Sequence, residues 1–224
     1  MTDSVIVVMA KQPVVGKTKT RLCPPFSPEQ AAKLFEALMR DTIHLTSQVP
    51  NTQTAVAISP PESESYFVDI TPPNTLLLSV EGADIGECLA KSFEVLFQRG
   101  FKKVIAFNAD GPTLPLDYLV KTLDYLDKND VVLGLGDDGG YYLIGLKRLN
   151  WRLFQNINWS TDLVFEQTKS KVKQAGLSLA ETPHWYDVDT FSDFERLVND
   201  LKNLPETMLP FTRQYLSQAD LPGL

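Results

Sequence analysis

Two hydrophobic periods alternate along this chain. Behind Ser4, the residues Val5 to Ala10 run without a polar break, which predicts a strand covered on both faces. After a loop from Lys11 to Ser27, the spacing changes to the helical one. Ala31, Leu34, Phe35, Leu38, Met39 and Thr42 mark a helix, and Ser27-Pro28-Glu29-Gln30 supplies its start as a capping box with proline in the first turn. The alternation then repeats. Strands are predicted at Thr54–Ser59, Leu76–Val80, Lys103–Phe107, Val131–Leu135 and Tyr141–Leu146, with a short one at Leu177–Ala180. Helices are predicted from Ile85 to Phe97, from Leu116 to Leu126, from Leu163 to Gln174, and from the Thr190 cap to about Leu201. This order predicts an α/β fold: a three-layer α/β/α arrangement around a mostly parallel sheet, in one domain over 1–224. Positions 205–224 form a tail with an amphipathic piece at Met208–Leu216, read as a packed terminal helix or a partly loose segment.

In open α/β sheets, ligands lie beyond the carboxyl ends of the strands, and four polar clusters fall there. The loop after the first strand holds Lys11, Lys17, Lys19 and Arg21 around Gly16, a local excess of positive charge suited to a polyphosphate. The Walker spacing is absent, so the loop is not of that type. Asp110 in Asn108-Ala109-Asp110-Gly111-Pro112 can hold a hard cation, although Asp before Gly-Pro is also ordinary turn chemistry. Asp137-Asp138-Gly139-Gly140-Tyr141 reads by spacing as a hairpin turn that also permits close backbone approach. Asp187 and Asp189, before the Thr190 cap, are read as facing opposite ways, one completing a cation site with Asp110 and the other structural.

Charge and composition narrow the partners. The 224 residues carry 28 Asp and Glu against 21 Lys and Arg, a net charge of −7, which argues against nucleic acid or an anionic membrane as partner. Cys23 and Cys88 form neither a disulfide framework nor a zinc spacing and read as free thiols of a reducing, cytoplasmic compartment. The start has no basic segment, and the apolar run behind it is too short for a signal sequence or a membrane span. His44 and His184 suggest no triad and no zinc site. No G-x-S-x-G is present and no G-x-G-x-x-G follows the first strand, which argues against a hydrolase elbow and a dinucleotide fold.

The motifs together resemble a bacterial family of nucleotide-diphospho-sugar transferase (GT-A-like) fold, whose members carry the labels candidate glycosyltransferase or selenodomain-associated transferase. The resemblance covers roughly Ser4 to Asp200. It rests on Ala10-Lys11-x-Pro-x-x-Gly16-x-x-Lys19-Thr20-Arg21-Leu22, Ala83-Asp84-Ile85-Gly86-Glu87, Asp110-x-Pro112, Asp138-Gly139-Gly140-Tyr141-Tyr142, Trp159-Ser160-Thr161 and Trp185-Tyr186-Asp187-Val188-Asp189-Thr190. More distantly, the plan is similar to molybdenum-cofactor and phospholactate nucleotidyltransferases. Asn108, Gly111 and Cys88 depart from the family's commoner residues.

The resemblance implies Lys19 and Arg21 on phosphate, and Asp110 with Asp189 or Asp187 on Mg²⁺ or Mn²⁺. It places Ala10, Lys11, Gly16 and Asp84 with them around the nucleotide, and Asp138, Gly139, Gly140 and Tyr141 around the acceptor. Lys19, Arg21 and Asp110 are the expected catalytic groups. The leading expectation is metal-dependent nucleotidyl transfer to a small phosphorylated or hydroxyl acceptor with release of pyrophosphate. The alternatives are a glycosyltransferase, weakened by the lack of a D-x-D pair at the fourth strand, and a non-catalytic nucleotide-binding protein. Base, acceptor and oligomeric state stay open.

Overall fold

A computed structural model describes residues 2–221; Met1 and the last three positions of the expected tail lie outside the described residues. Seven strands form one sheet: β1 (Ser4–Ala10), β2 (Gln53–Ile58), β3 (Leu76–Ser79), β4 (Lys103–Asn108), β5 (Val131–Gly136), β6 (Tyr141–Leu146) and β7 (Leu179–Trp185). Their spatial order is β3-β2-β1-β4-β6-β5-β7. Only β6 runs against its neighbours, β4 and β5; the other strand pairs are parallel.

β1 earns its central place through its side chains. Val5, Ile6, Val7 and Val8 are all fully buried. Val5 and Val7 face α3 (Ile85–Gln98) and α5 (Val164–Gln174) through Phe93, Leu96 and Phe165. Ile6 and Val8 point the other way, toward α1 (Pro28–Ser47) and α4 (Leu116–Lys128), where Met39, Ile43 and Leu119 lie. Helices therefore cover both faces, as the unbroken apolar run requires. Each such side chain contributes roughly 1.5–3 kcal/mol by burial, so a charge at Val7 would unseat the strand.

Both expected capping boxes are present. Gln30 N–H donates to Ser27 Oγ while Ser27 N–H donates to the Gln30 side chain. Thr190 and Asp193 make the same exchange at the start of α6 (Phe191–Leu201).

Two expectations change, and one open alternative is decided. A seven-residue helix, α2 (Glu64–Ile70), stands where none was expected; it has no side-chain cap to announce it. The short strand at Leu177–Ala180 is instead β7, which starts later and reaches Trp185. It lies at the edge of the sheet, where Pro183 is tolerated. Finally, the tail packs as a helix, α7 (Pro210–Gln218), against α1.

The α7 joint is built on a buried acid. Asp41 of α1, 2% exposed, accepts N–H groups of Phe211 at 3.1 Å and Thr212 at 2.7 Å, in the first turn of α7. Arg213 then donates to the carbonyls of Leu201, Leu204 and Met208, tying α7 to the end of α6.

The parallel strands β1, β4, β5 and β7 end at one edge of the sheet. The chain leaves β1 toward β2 on one side and returns to β4 on the other, so a crevice opens between the β1 and β4 ends. No helix among the described residues is long and apolar enough to cross a membrane. Cys23 and Cys88 are both free.

Candidate functional site

The loop after β1 is shaped before it meets any partner. The N–H groups of Lys17 and Thr18 donate to Val14 O at 3.0 Å, and the Thr18 hydroxyl accepts Val14 N–H at 2.8 Å. Gly16 adopts a φ of 76° at the tip. Lys19 then takes a left-handed φ of 50°, uncommon for a residue with a side chain, and turns the chain into a short 3₁₀ segment, Thr20–Leu22. Leu22 anchors that segment at 0% exposure. The turn sends Lys19 inward and Arg21 outward: their side chains are 7% and 60% exposed.

Lys19 reaches across the crevice. Its Nζ donates to Asp110 Oδ2 at 2.5 Å and to Asp189 Oδ1 at 2.6 Å, with the Phe35 ring 5.6 Å away. Arg21 Nη2 donates to the other oxygen of Asp189 at 2.6 Å. Lys19, Arg21, Asp110 and Asp189 thus converge on one site from three separate loops. Burial alone would drive Lys19 toward neutrality, but the charges of Asp110 and Asp189 outweigh it and hold the ammonium well above the ordinary lysine range. For Asp189, burial pushes upward, and Lys19 and then Arg21 overcome it, so its carboxyl is held down.

Asp187 is in a different state. Burial raises its carboxyl far above the usual range, and the nearby charge of Asp110 raises it further. Asn108 Nδ2 donates to its Oδ2 at 2.9 Å, but Oδ1 is shut from water with no partner among the described residues. Asp187 and Asp189 do not face opposite ways as expected. Residues two apart in an extended segment share a side, and Asp187 senses Asp110, Lys19 and Asp189 together. Gly111 lets them come close: a Cβ there would lie 2.8 Å from Asp187 Oδ1.

An all-oxygen set with an orphaned carboxylate oxygen fits a hard cation such as Mg²⁺, which takes one or two carboxylates and completes its shell with water and phosphate. Among the described residues, no three His, Cys, Asp or Glu side chains form a ready metal-holding group, so substrate oxygens would have to complete the shell.

The β5–β6 turn completes the rim as the hairpin that its spacing suggested. Gly136 N–H donates to Gly140 O, and Gly139 has a φ of 80°. A Cβ on Gly139 would lie 2.4 Å from Asp162 O, so only glycine allows this approach. Gly140 N–H donates to Asp138 Oδ1 at 2.9 Å.

Cavities join these parts. Lys19, Arg21, Asp138 and Asp189 line one opening together with Ser160 and Thr161. Arg21, Asp138, Asp187 and Asp189 line a second beside it. Other expected residues stand apart. Lys11 and Gly16 face solvent, Ala10 is buried, and Asp84 caps α3 by accepting Glu87 N–H at 2.8 Å. Sequence reasoning gave no role to Phe35, Asn108 or the Trp159-Ser160-Thr161 segment, although that segment stood among the motifs.

The sequence profile of a family described as "Uncharacterized protein conserved in bacteria (DUF2064)" matches residues 42–161, more than half of the chain. No curated protein matches the chain. Among solved structures, it is similar to a candidate nucleotide-diphospho-sugar transferase from Desulfovibrio desulfuricans G20. The identity is 27%, the TM-score is 0.88, and the match covers 97% of this chain and 96% of that one. A cytidylyltransferase from Leptospira borgpetersenii serovar Hardjo-bovis aligns at 10% identity and a TM-score of 0.60, covering 97% and 95%. Rv0371C of Mycobacterium tuberculosis H37Rv in complex with manganese aligns at 16% and 0.55, covering 88% and 98%. The architecture is therefore the nucleotide-diphospho-sugar transferase fold that the motifs implied.

Proposed function

The chain belongs to the DUF2064 family, and from that premise we propose that it is a nucleotide-using transferase, in its specific form a metal-dependent nucleotidyltransferase. The observation that carries the reading is Lys19, buried among Asp110, Asp189 and the Arg21 pair at the crevice between β1 and β4.

A triphosphate arriving there competes with the acids for Lys19 and Arg21. Arg21, the more exposed, offers a planar fork to phosphate oxygens. Lys19 sits deeper and balances the acids until phosphate oxygens draw it away. Asp110 and Asp187 are the pair we assign to Mg²⁺ or Mn²⁺, because Asp189 is already engaged by both cations while Asp187 has an oxygen to spare. The ion, when bound, supplies charge neutralisation on the triphosphate. An acceptor oxygen then attacks the α-phosphorus, the bond to the leaving pyrophosphate breaks, and Lys19 and Arg21 hold the departing charge.

Titration calorimetry with the four ribonucleoside triphosphates, in Mg²⁺ and in EDTA, tests this. Tight binding of at least one in Mg²⁺ only, lost in Asp110→Asn, is expected. Equal affinity in EDTA would remove the metal role. A glycosyltransferase is the second reading, favoured by the printed description of the Desulfovibrio relative. Turnover of UDP-glucose or GDP-mannose, with no pyrophosphate released from any triphosphate, would select it.

A further inference from the structure

Beside the charged crevice, sharing Asp138, Ser160 and Thr161 with it, lies a second recess of different character. Its walls are Met9 at the end of β1, Ile85 and Leu89 of α3, Tyr141 of β6, and Trp159 with Val164 beyond the β6 side of the sheet. Trp159 is held firmly. A Cβ on Gly86 would lie 2.3 Å from its indole, and the Tyr141 ring meets it edge-on at 6.3 Å. Ala106, Phe107 and Ile144 add to this apolar lining, with Asn108, Ser160 and Thr161 as polar neighbours, and the Tyr141 hydroxyl is shut from water with no partner among the described residues. Ile85, 39% exposed, stands as an uncovered apolar residue on the wall.

One residue borders every part of this landscape. Asp138 lines the apolar recess and both charged openings. Its Oδ1 is fixed by Gly140 N–H, while Oδ2 accepts no hydrogen bond among the described residues. The turn that carries it is pinned from behind, because Gly139 lies against the Asp162 backbone and Phe165 N–H donates to Gly139 O at 3.0 Å. A carboxylate so held, at the boundary between an apolar pocket and a cationic crevice, accepts a hydrogen bond from a neutral hydroxyl and disfavours an anion.

We propose that this recess is the acceptor subsite, and that the acceptor has a compact apolar body bearing a hydroxyl, the body against Trp159, Ile85 and Leu89 and the hydroxyl donating to Asp138 Oδ2. The inference rests on the nucleotide-using reading and specifies its acceptor. It places the nucleotide phosphates at Lys19 and Arg21 and the acceptor's reacting oxygen beside them. A phosphorylated acceptor group is disfavoured at this point, because Asp138 would repel it.

Cyclohexylmethanol and its methyl ether serve as probes. Saturation-transfer NMR is recorded with each on the full chain, in the presence of a non-hydrolysable triphosphate and Mg²⁺. The alcohol is expected to bind more tightly than the ether by roughly fivefold, since only the alcohol can donate to Asp138. Asp138→Ala should erase that preference while leaving the ether unchanged. Trp159→Ala and, on the more exposed wall, Ile85→Ser should each weaken both probes by about tenfold and leave triphosphate affinity within about twofold. Ile85→Ser keeps the test open should Trp159→Ala fail to fold. Failure of both probes to bind a protein that binds triphosphate normally would overturn this inference alone. Loss of triphosphate affinity in Ile85→Ser would also overturn it, by making the recess the base pocket. If no triphosphate binds the unmodified chain, the reading beneath it falls first.

Discussion

Asp189 and Asp41 are both carboxylates drawn largely out of water, and they are held in opposite ways. Asp189 is gripped by two side-chain cations, Lys19 and Arg21, at the open edge of the sheet. Asp41 is gripped by two backbone N–H groups at the start of α7, between packed helices. A backbone amide cannot leave without unwinding its helix. A lysine or arginine head can swing to another anion at small cost. The first arrangement is therefore exchangeable and suits ligand binding, whereas the second is fixed and suits assembly.

The sharpest way to break that contrast is Lys19→Ala. Triphosphate affinity should fall about a hundredfold, ~2.7 kcal/mol, in titration calorimetry. Stability should change by no more than about 1 kcal/mol, because water can reach Asp110 and Asp189, whose side chains are 20% and 31% exposed. A large loss in melting temperature would show that Lys19 is a structural clamp after all. Asp41→Ala should do the reverse. It orphans two helix-start donors and costs roughly 2 kcal/mol in urea unfolding, with triphosphate affinity of the folded protein unchanged. Arg21→Ala comes next, with about a tenfold loss of triphosphate affinity and unaltered unfolding, since the exposed guanidinium is one of two cations.

The smallest effect is a pH dependence. Burial raises the Asp41 carboxyl above its ordinary value, and the N–H groups of Thr212 and Phe211 only partly offset this. An acid with a raised folded pKa binds its proton more tightly when folded. Its contribution is complete below the unfolded value and declines as pH rises through the folded one. Across the mildly acidic range, the urea midpoint of the natural protein taken relative to that of Asp41→Asn should therefore drift down with rising pH, the difference cancelling carboxylates such as Asp189 that act in the opposite sense. A drift in the opposite direction would contradict the direction given for Asp41.

Much of the scaffold was legible because its causes are local. The β1 run, the Ser27–Gln30 and Thr190–Asp193 boxes and the Tyr141–Leu146 strand all depend on neighbours within a few residues. The site was legible in part, because basic and acidic residues at strand ends share the sheet's edge whatever their distance in the chain. What escaped depends on contacts between distant segments. Nothing near Lys19 announces that its ammonium will sit on Asp110, and nothing near Asp187 announces an oxygen left without a partner. Asp41 did carry a signal: an acid on a helix face otherwise built of Leu34, Leu38 and Leu45 demands a partner. The short α2 had neither a cap nor a long apolar stripe to reveal it.

Gly86 sets a trap for anyone redesigning this protein by propensity tables. It stands in the first turn of α3, where most residues would make a better helix. A design program rewarded for helicity would choose alanine there. The added methyl would push on the Trp159 indole, and through it on the Tyr141 ring and the pocket they enclose. A sturdier helix would thus come with a misshapen pocket, a trade that unfolding measurements alone would score as a success.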